Sequence, residues 1–312
     1  MHRPTLSPHM THVVAGGVGG TVGAVITCPL EIVKTRLQSS TTTFKPLQVI
    51  SVSSGGSTVV HLEDCGRRTL SIAKCIKQII EAEGGTALFK GLGPTLVGVA
   101  PSRAIYFGAY ANTKNFLNTK LSPESSLVHL LSAGSAGFIS CSLTNPIWMV
   151  KTRMQLDDRK GKSSNMFKCA RHVYRTEGLR GFYRGVTASY AGLSETMIHF
   201  VIYEKIKQSI QEVRYSAPDR KSAWDFLAFM AAAATSKSIA STLAYPHEVA
   251  RTRLRQEGDK YRGFFQTLFT IFREEGYRGL YGGLGTHLVR QIPNTAIIMA
   301  TYELVVYLFN KC

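Results

Sequence analysis

The octet Pro29-Leu30-Glu31-Ile32-Val33-Lys34-Thr35-Arg36 constrains this chain more than any other stretch, because it is written three times. It returns as Pro146-Ile147-Trp148-Met149-Val150-Lys151-Thr152-Arg153 and as Pro246-His247-Glu248-Val249-Ala250-Arg251-Thr252-Arg253. Spacings of 117 residues (29 to 146) and 100 residues (146 to 246) are too long for a solenoid and mark three copies of a small module. In each copy a proline follows an apolar run, and cations stand five and seven positions on. The first and third copies also place an acid two positions after the proline. That acid and the first cation are three apart, so they share one helix face. A proline inside a helix removes a hydrogen bond and bends it. Each copy therefore predicts a helix bent at Pro29, Pro146 or Pro246, with charged groups at the bend.

A chain of 312 residues holds either two soluble domains or one six-helix membrane protein. The mean hydropathy of +0.00 hides an uneven distribution. Val13 to Leu30 carries no charge, and Ser126 to Val150 none beyond His129. Four further spans, 91–110, 185–203, 226–245 and 283–302, carry one or two charges each. All reach the roughly 20 residues that a bilayer requires, and their polar interruptions point one face toward water. The formal charge of +17 calls for an anionic partner or surface. The cations are spread over three copies with no aromatic-basic patch, which argues against nucleic acid. Six cysteines show neither a CxxC pair nor a histidine at metal spacing. They read as free thiols in a reducing compartment, with no metal site. No apolar leader precedes Val13, so no cleaved signal is expected.

A tail (1–10) leads into modules 11–120, 121–218 and 219–312. Each begins with a long apolar helix through its proline: 11–37, 127–154 and 226–255. The first is rich in glycine, and Gly16 and Gly20, four apart, are the pair expected to let helices approach closely. An amphipathic helix follows (70–82, 166–176 and 263–273), then Glu-Gly at 83–84, 177–178 and 275–276. An aromatic-base-Gly turn, Phe89-Lys90-Gly91 or Tyr183-Arg184-Gly185, precedes a second apolar helix; the third copy reads Tyr281-Gly282-Gly283. Singly these strings are helix ends and turns. The proline-to-Glu distance is 54 in the first copy (29 to 83) against 31 (146 to 177) and 29 (246 to 275). The first copy therefore carries an insertion, the polar segment 39–69, read as a mobile, peripheral loop. Six long helices put both termini on one side and the basic helix ends on the other, the inner side by the positive-inside rule.

Three copies of a proline-x-acid-x-x-base-x-base pattern, with Trp148 at the acid position of the second, each followed by Glu-Gly and an aromatic-base-Gly turn, with Gly282 at the base position of the third, resemble the mitochondrial carrier family over essentially the whole chain. The resemblance implies an all-α membrane protein with six transmembrane helices in three pseudo-symmetric repeats and three short matrix-side helices. It implies a monomer in the mitochondrial inner membrane, termini toward the intermembrane space, working by alternating access. Membrane lipid, cardiolipin included, is an implied partner; no cofactor is. The family's matrix gate would pair Glu31 with Lys151 and Glu248 with Lys34. Trp148 replaces the third acid, leaving Arg251 facing its ring in a cation–π contact. On the cytosolic side Ala111 and Val306 break the family's string. Of Lys114, Glu204, Lys207 and Glu303, only Glu303 with Lys114 remains a family-type pair, a weak cytosolic gate.

Pro-Ile-Trp in the second motif resembles the family's branch for nucleotides, folate and dinucleotide cofactors. Strings such as Gly98-Val99-Ala100-Pro101-Ser102-Arg103 and Arg290-Gln291-Ile292-Pro293-Asn294 resemble its pyrimidine nucleotide carriers. The function expected is exchange of pyrimidine nucleotides (uridine, cytidine or thymidine phosphates, with guanine nucleotides open). A carrier for adenine nucleotide, NAD, FAD or folate stays open, as does a non-transporting or uncoupling protein. An enzyme is not expected: no nucleophile–base pair, metal cluster or Walker loop is present. Ionisable residues at membrane depth are the substrate candidates. Arg290 would take phosphate, its alternative being a structural ion pair. Gly98, Ala191 and Gly192, at matching levels, would leave room for base and sugar. Arg103 either pairs with Glu195 or binds directly. Glu195 would orient a cation, meet sugar or base, or carry a proton. Lys237, standing where Gly20 and Gly137 stand in the other copies, either binds phosphate or snorkels. Asn294 would read a base edge or pack.

Overall fold

The structure is a computed structural model that describes residues 8–40, 72–122, 125–157, 165–215 and 223–311. Most of the 39–69 segment lies outside the described residues. So does the Glu303 side chain, and with it the expected Lys114–Glu303 pair.

All regular secondary structure among the described residues is helical. The first copy contains α1 (Pro8–Gln38), α2 (Ile72–Glu83), a 3-10 turn (Gly85–Phe89) and α3 (Leu92–Asn118). The second contains α4 (Ser126–Leu156), α5 (Met166–Gly181), α6 (Val186–Ala191) and α7 (Leu193–Tyr215). The third contains α8 (Ala223–Leu254), α9 (Phe264–Leu280) and α10 (Leu284–Lys311). Pro29, Pro146 and Pro246 all lie inside their helices, and Ser125 caps α4 by accepting from the Val128 amide at 3.3 Å. The fourth long helix expected after Gly185 is divided at Gly192.

The long helices close into a ring. α3 packs most extensively on α4, α7 on α8, and α10 returns to α1. The strongest contacts therefore run between copies. Glycine sets the α1–α10 approach, but at Gly19 and Gly23 rather than Gly16 and Gly20. A methyl group on Gly19 would lie 2.9 Å from the Ile298 carbonyl oxygen, and one on Gly23 2.8 Å from the Ile298 side chain. Gly16 has open space, and Gly20 only a contact at 4.0 Å. The run holds two four-spaced glycine pairs, and the partner helix uses the second. In the fifth long helix Lys237 binds Glu195 at 2.6 Å, so a charged contact joins α8 to α7 where the first copy has glycine.

The short helices α2, α5 and α9 cover the motif end of the ring. α2 turns Cys75 and Ile79, one turn apart, onto Ile32 and Val33 of α1. α9 turns Ile271 onto Tyr245 and Val249 of α8. In all three copies the Glu-Gly glycine takes a positive φ: 92° at Gly84, 66° at Gly178 and 65° at Gly276. The turn glycine does so too: 85° at Gly91, 78° at Gly185 and 84° at Gly283. There the backbone also presses on the next copy's motif helix. A methyl group would lie 3.3 Å from the Lys151 carbonyl oxygen at Gly91, 3.3 Å from that of Arg251 at Gly185, and 3.2 Å from that of Lys34 at Gly283. One turn thus joins copy one to two, two to three, and three to one. Gly91→Ala is expected to cost about 1–3 kcal/mol through left-handed strain, read as a lower unfolding temperature in detergent. An unchanged midpoint would show that the turn relaxes.

Polarity is inverted. Phe107, Leu143, Leu243 and Ile292 are exposed on the outer helix faces, whereas Lys34, Arg153, Arg253 and Arg255 are buried. Among the described residues, two helices contain segments long and apolar enough to cross a membrane, Ala15–Gln38 and Leu127–Leu156.

Candidate functional site

The three motif helices α1, α4 and α8 meet at one end of the ring. There the first cation of each motif reaches an acid. Lys34 of α1 binds Glu248 of α8 at 2.5 Å, and Lys151 of α4 binds Glu31 of α1. Both pairs cross between copies and are largely buried. Where the third acid is missing, the contacts differ from the expected Arg251–Trp148 stack. The Trp148 ring lies under Lys151, with the ammonium 5.1 Å from its centroid. Arg251 turns instead to Glu248, three residues back on its own helix, at 3.3 Å. A carboxylate already in reach outbids a ring face for the guanidinium.

One turn further along lies a second ring of contacts. The Thr35 hydroxyl donates to Gln155 Oε1 at 3.1 Å, and Thr252 donates to Gln38 Oε1 at 2.8 Å. At the third place Arg255 Nη1 donates to Thr152 Oγ1 at 3.3 Å. The residue nine after each proline is thus Gln38, Gln155 or Arg255, each meeting the threonine of another copy.

The second cation of each motif holds the Glu of its own Glu-Gly. Arg36 grips Glu83 with both Nη atoms, the Nη2 bond being 2.9 Å, and Lys90 adds a bond of 2.7 Å. Arg153 binds Glu177 at 2.5 Å and Arg184 binds it at 3.1 Å. Arg253 grips Glu275 at 2.6 and 2.7 Å. Burial opposes the charge on Glu83, but its bonds to Arg36 and Lys90 hold the carboxyl below the usual carboxylate range.

Inside this end lies a cavity of about 310 Å³, within the usual size of ligand pockets. Its walls hold five cations, Lys34, Lys151, Arg251, Arg255 and Arg290, against two carboxylates, Glu31 and Glu248. Three positive charges are therefore uncompensated. Arg290 reaches in from α10 and binds Glu31 at 3.1 Å, so it is both cavity-lining and ion-paired. His287 approaches Glu248 to 3.7 Å.

Several candidates take other partners. Glu195 binds Lys237 and accepts from Ser241 at 2.7 Å, whereas Arg103 is exposed and makes no ion pair among the described residues. The two glycines offered as room for base and sugar are used by packing. A methyl group on Gly98 would lie 2.9 Å from Ile147, and one on Gly192 2.7 Å from His247 Nε2. Ala191 is half-buried beside them, its carbonyl accepting from Ser194 at 2.6 Å. Asn294 faces α1, accepting from Thr27 at 3.3 Å. At the opposite end Glu204 and Lys207 make no ion pair among the described residues, and Tyr110 meets His129 at 2.7 Å. Glu195, His247 and Glu248 bring ligand atoms within 4.8 Å of one another, but Lys237, Lys34 and Arg251 already neutralise the two carboxylates.

The sequence reading missed Arg255, His247 and His287, and the bonds from each second cation to its Glu. Extending the repeat two residues beyond the octet would have exposed Arg255 as the cation in a glutamine position.

The family model described as mitochondrial carrier protein matches residues 6–121, 122–214 and 223–311. Solute carrier family 25 member 36-A of Danio rerio is 58% identical over 309 residues, covering 96% of this chain and 98% of the relative. Solute carrier family 25 member 33 of Homo sapiens is 53% identical over 306 residues, covering 96% and 95%. The mitochondrial pyrimidine nucleotide transporter of Saccharomyces cerevisiae is 38% identical over 335 residues, covering 99% and 88%.

Proposed function

The chain belongs to the mitochondrial carrier family, and from that premise we propose that it exchanges pyrimidine nucleotides across the mitochondrial inner membrane. The observation that carries the reading is the cavity's charge: five cations face two carboxylates, which suits a polyanionic cargo and would repel a cationic one. The relative named as a pyrimidine nucleotide transporter aligns over 99% of this chain. The reading needs no bond-making step, and the chain acts as a carrier rather than an enzyme.

In this account the six long helices span the bilayer, α6 and α7 sharing one span. The short helices lie on the matrix side and both termini face the intermembrane space. One chain works alone, against lipid along its apolar outer faces. The pairs Lys34–Glu248 and Lys151–Glu31 hold the matrix end closed. A nucleotide entering the cavity offers phosphate to Arg290, which must leave Glu31 to take it. The same phosphate competes with Glu31 for Lys151, which also lines the cavity, so that pair loosens and the end opens. Substrate binding thereby lowers the energy of parting the helices, the differential affinity that alternation requires.

The test is exchange in liposomes. Purified protein is expected to take up labelled uridine, cytidine or thymidine phosphates against internal nucleotide. Arg290→Ala is expected to lose at least ~10-fold, the value of one charge-assisted contact of about 1.4 kcal/mol. A wild type that moves NAD, FAD, folate or adenine nucleotide but no pyrimidine nucleotide overturns the assignment.

A further inference from the structure

We propose that Arg255 is a phosphate-binding residue that selects nucleoside polyphosphates over monophosphates, an inference that rests on the nucleotide reading above. It stands nine residues after Pro246, where the other copies have Gln38 and Gln155. Those glutamines share one task, accepting the hydroxyl of a neighbouring copy's threonine, and Gln38 also donates to the Tyr245 hydroxyl at 2.9 Å. Arg255 meets the equivalent Thr152 through Nη1 alone. The rest of its guanidinium exceeds that task. Nη2 donates to Asn145 Oδ1 at 2.8 Å and Ser189 Oγ at 3.3 Å, and Nη1 also reaches the Trp148 carbonyl at 3.4 Å. Nε is buried with no hydrogen-bond partner.

Every one of these acceptors is neutral. Lys34, Lys151, Arg251 and Arg290 each meet a carboxylate, whereas Arg255 makes no ion pair among the described residues. Yet it is only 6% exposed and lines the cavity. A buried cation without a counter-charge is costly. A glutamine would brace Thr152 without that cost, as the other two copies do. The charge is therefore matched to an anion that comes and goes. A terminal phosphoryl group presents paired oxygens to the guanidinium fork, which Lys and Gln cannot grip in the same way. Arg255, one residue past the end of α8, and Arg290 on α10 belong to different walls of one cavity. A ligand engaging both needs anionic oxygens set apart along a chain, which a polyphosphate has and a monophosphate lacks.

The experiment compares wild type, Arg255→Gln and Arg255→Lys in liposomes, with labelled uridine triphosphate and uridine monophosphate. The readout is the ratio of the two KM values. In wild type the triphosphate is expected to have the lower KM. Arg255→Gln, carrying the residue found in the other copies, is expected to collapse that preference by ~10-fold, the worth of one charge-assisted contact. Arg255→Lys is expected to fall between. An equal loss for both substrates makes Arg255 a brace only and overturns the proposal, as does an unchanged ratio. Should Arg255→Gln fail to fold, Arg255→Lys decides, and a wild-type ratio in it overturns the proposal. A wild type that moves no pyrimidine nucleotide overturns the transport reading and this inference together. A wild type that does, with the ratio unmoved by substitution, overturns this inference alone.

Discussion

Glu248→Gln is expected to lower nucleotide exchange about 100-fold while leaving a folded protein. Glu248 gathers Lys34 at 2.5 Å and Arg251 at 3.3 Å, with His287 at 3.7 Å. Its side chain is 11% exposed and that of Lys34 10%, so neither charge is well served by water. Removing one partner of such a pair costs about 3–5 kcal/mol, because the other is left buried and unpaired. That cost falls on the state in which α1 and α8 are closed together, and about 2.7 kcal/mol there already amounts to 100-fold. The Gln-for-Glu change keeps the volume, and α1 stays packed on α2 through Val33 and α8 on α9 through Val249, which the substitution does not touch. Lys34→Gln combined with Glu248→Gln is expected to be milder than Glu248→Gln alone, because no lysine then stays stranded. The checks are initial exchange rates in liposomes and unfolding midpoints in detergent. Exchange within twofold of wild type in Glu248→Gln would show that this pair does not hold the closed state.

What the sequence discloses is the inventory of each helix end; what it withholds is the choice among partners within reach. Residue types at constant offsets mark Glu31, Lys34, Lys151, Glu248 and Arg251 as one set, and the family resemblance supplies the pairing of the first four. The same family pairing leaves Arg251 facing Trp148. The structure gives the ring to Lys151, since Glu248 lies within a rotamer of Arg251. The same limit applies to glycine. Gly16, Gly17, Gly19, Gly20 and Gly23 crowd one helix, and spacing cannot tell which pair faces a neighbour; Ile298 on α10 decides it. Gly98 and Gly192 read as open space, but a missing side chain only marks where something else has come close. The break at Gly192 was hidden for a related reason. Its surroundings, Ala191 and Leu193, are good helix formers, and the division comes with a tertiary contact to His247. Arg255 was overlooked because the repeat was read to its seventh position and the exchange sits at its ninth.

Arg253→Ala is expected to damage stability rather than turnover, by about 3–5 kcal/mol, and to do so more than Arg36→Ala or Arg153→Ala. Arg253 is 2% exposed. It binds Glu275 through two bonds, the Tyr261 hydroxyl at 3.0 Å and the Gln38 carbonyl at 2.7 Å. In the first two copies the aromatic-base-Gly turn brings a second cation to the same Glu, Lys90 to Glu83 and Arg184 to Glu177. The third turn brings none, and its geometry explains why. A methyl group on Gly282 would lie 3.0 Å from the Leu37 carbonyl oxygen, and the Gly282 carbonyl accepts from Tyr245 at 2.9 Å. A side chain there would press on the Leu37 carbonyl, and with glycine in place of the base Arg253 has no stand-in from that turn. The two cations of one motif therefore differ in kind. In the first two copies the first cation reaches another copy's acid, and in the proposed cycle it parts from that acid when the helices separate. In that proposed cycle the second keeps its Glu within its own copy and releases only its Nε contact to the neighbouring helix end. Unfolding midpoints of the three alanine variants, measured in one detergent, decide the matter. Equal losses in all three copies would show that the turn cations add nothing, and a fully stable Arg253→Ala would remove the distinction between a fixed and a moving charge.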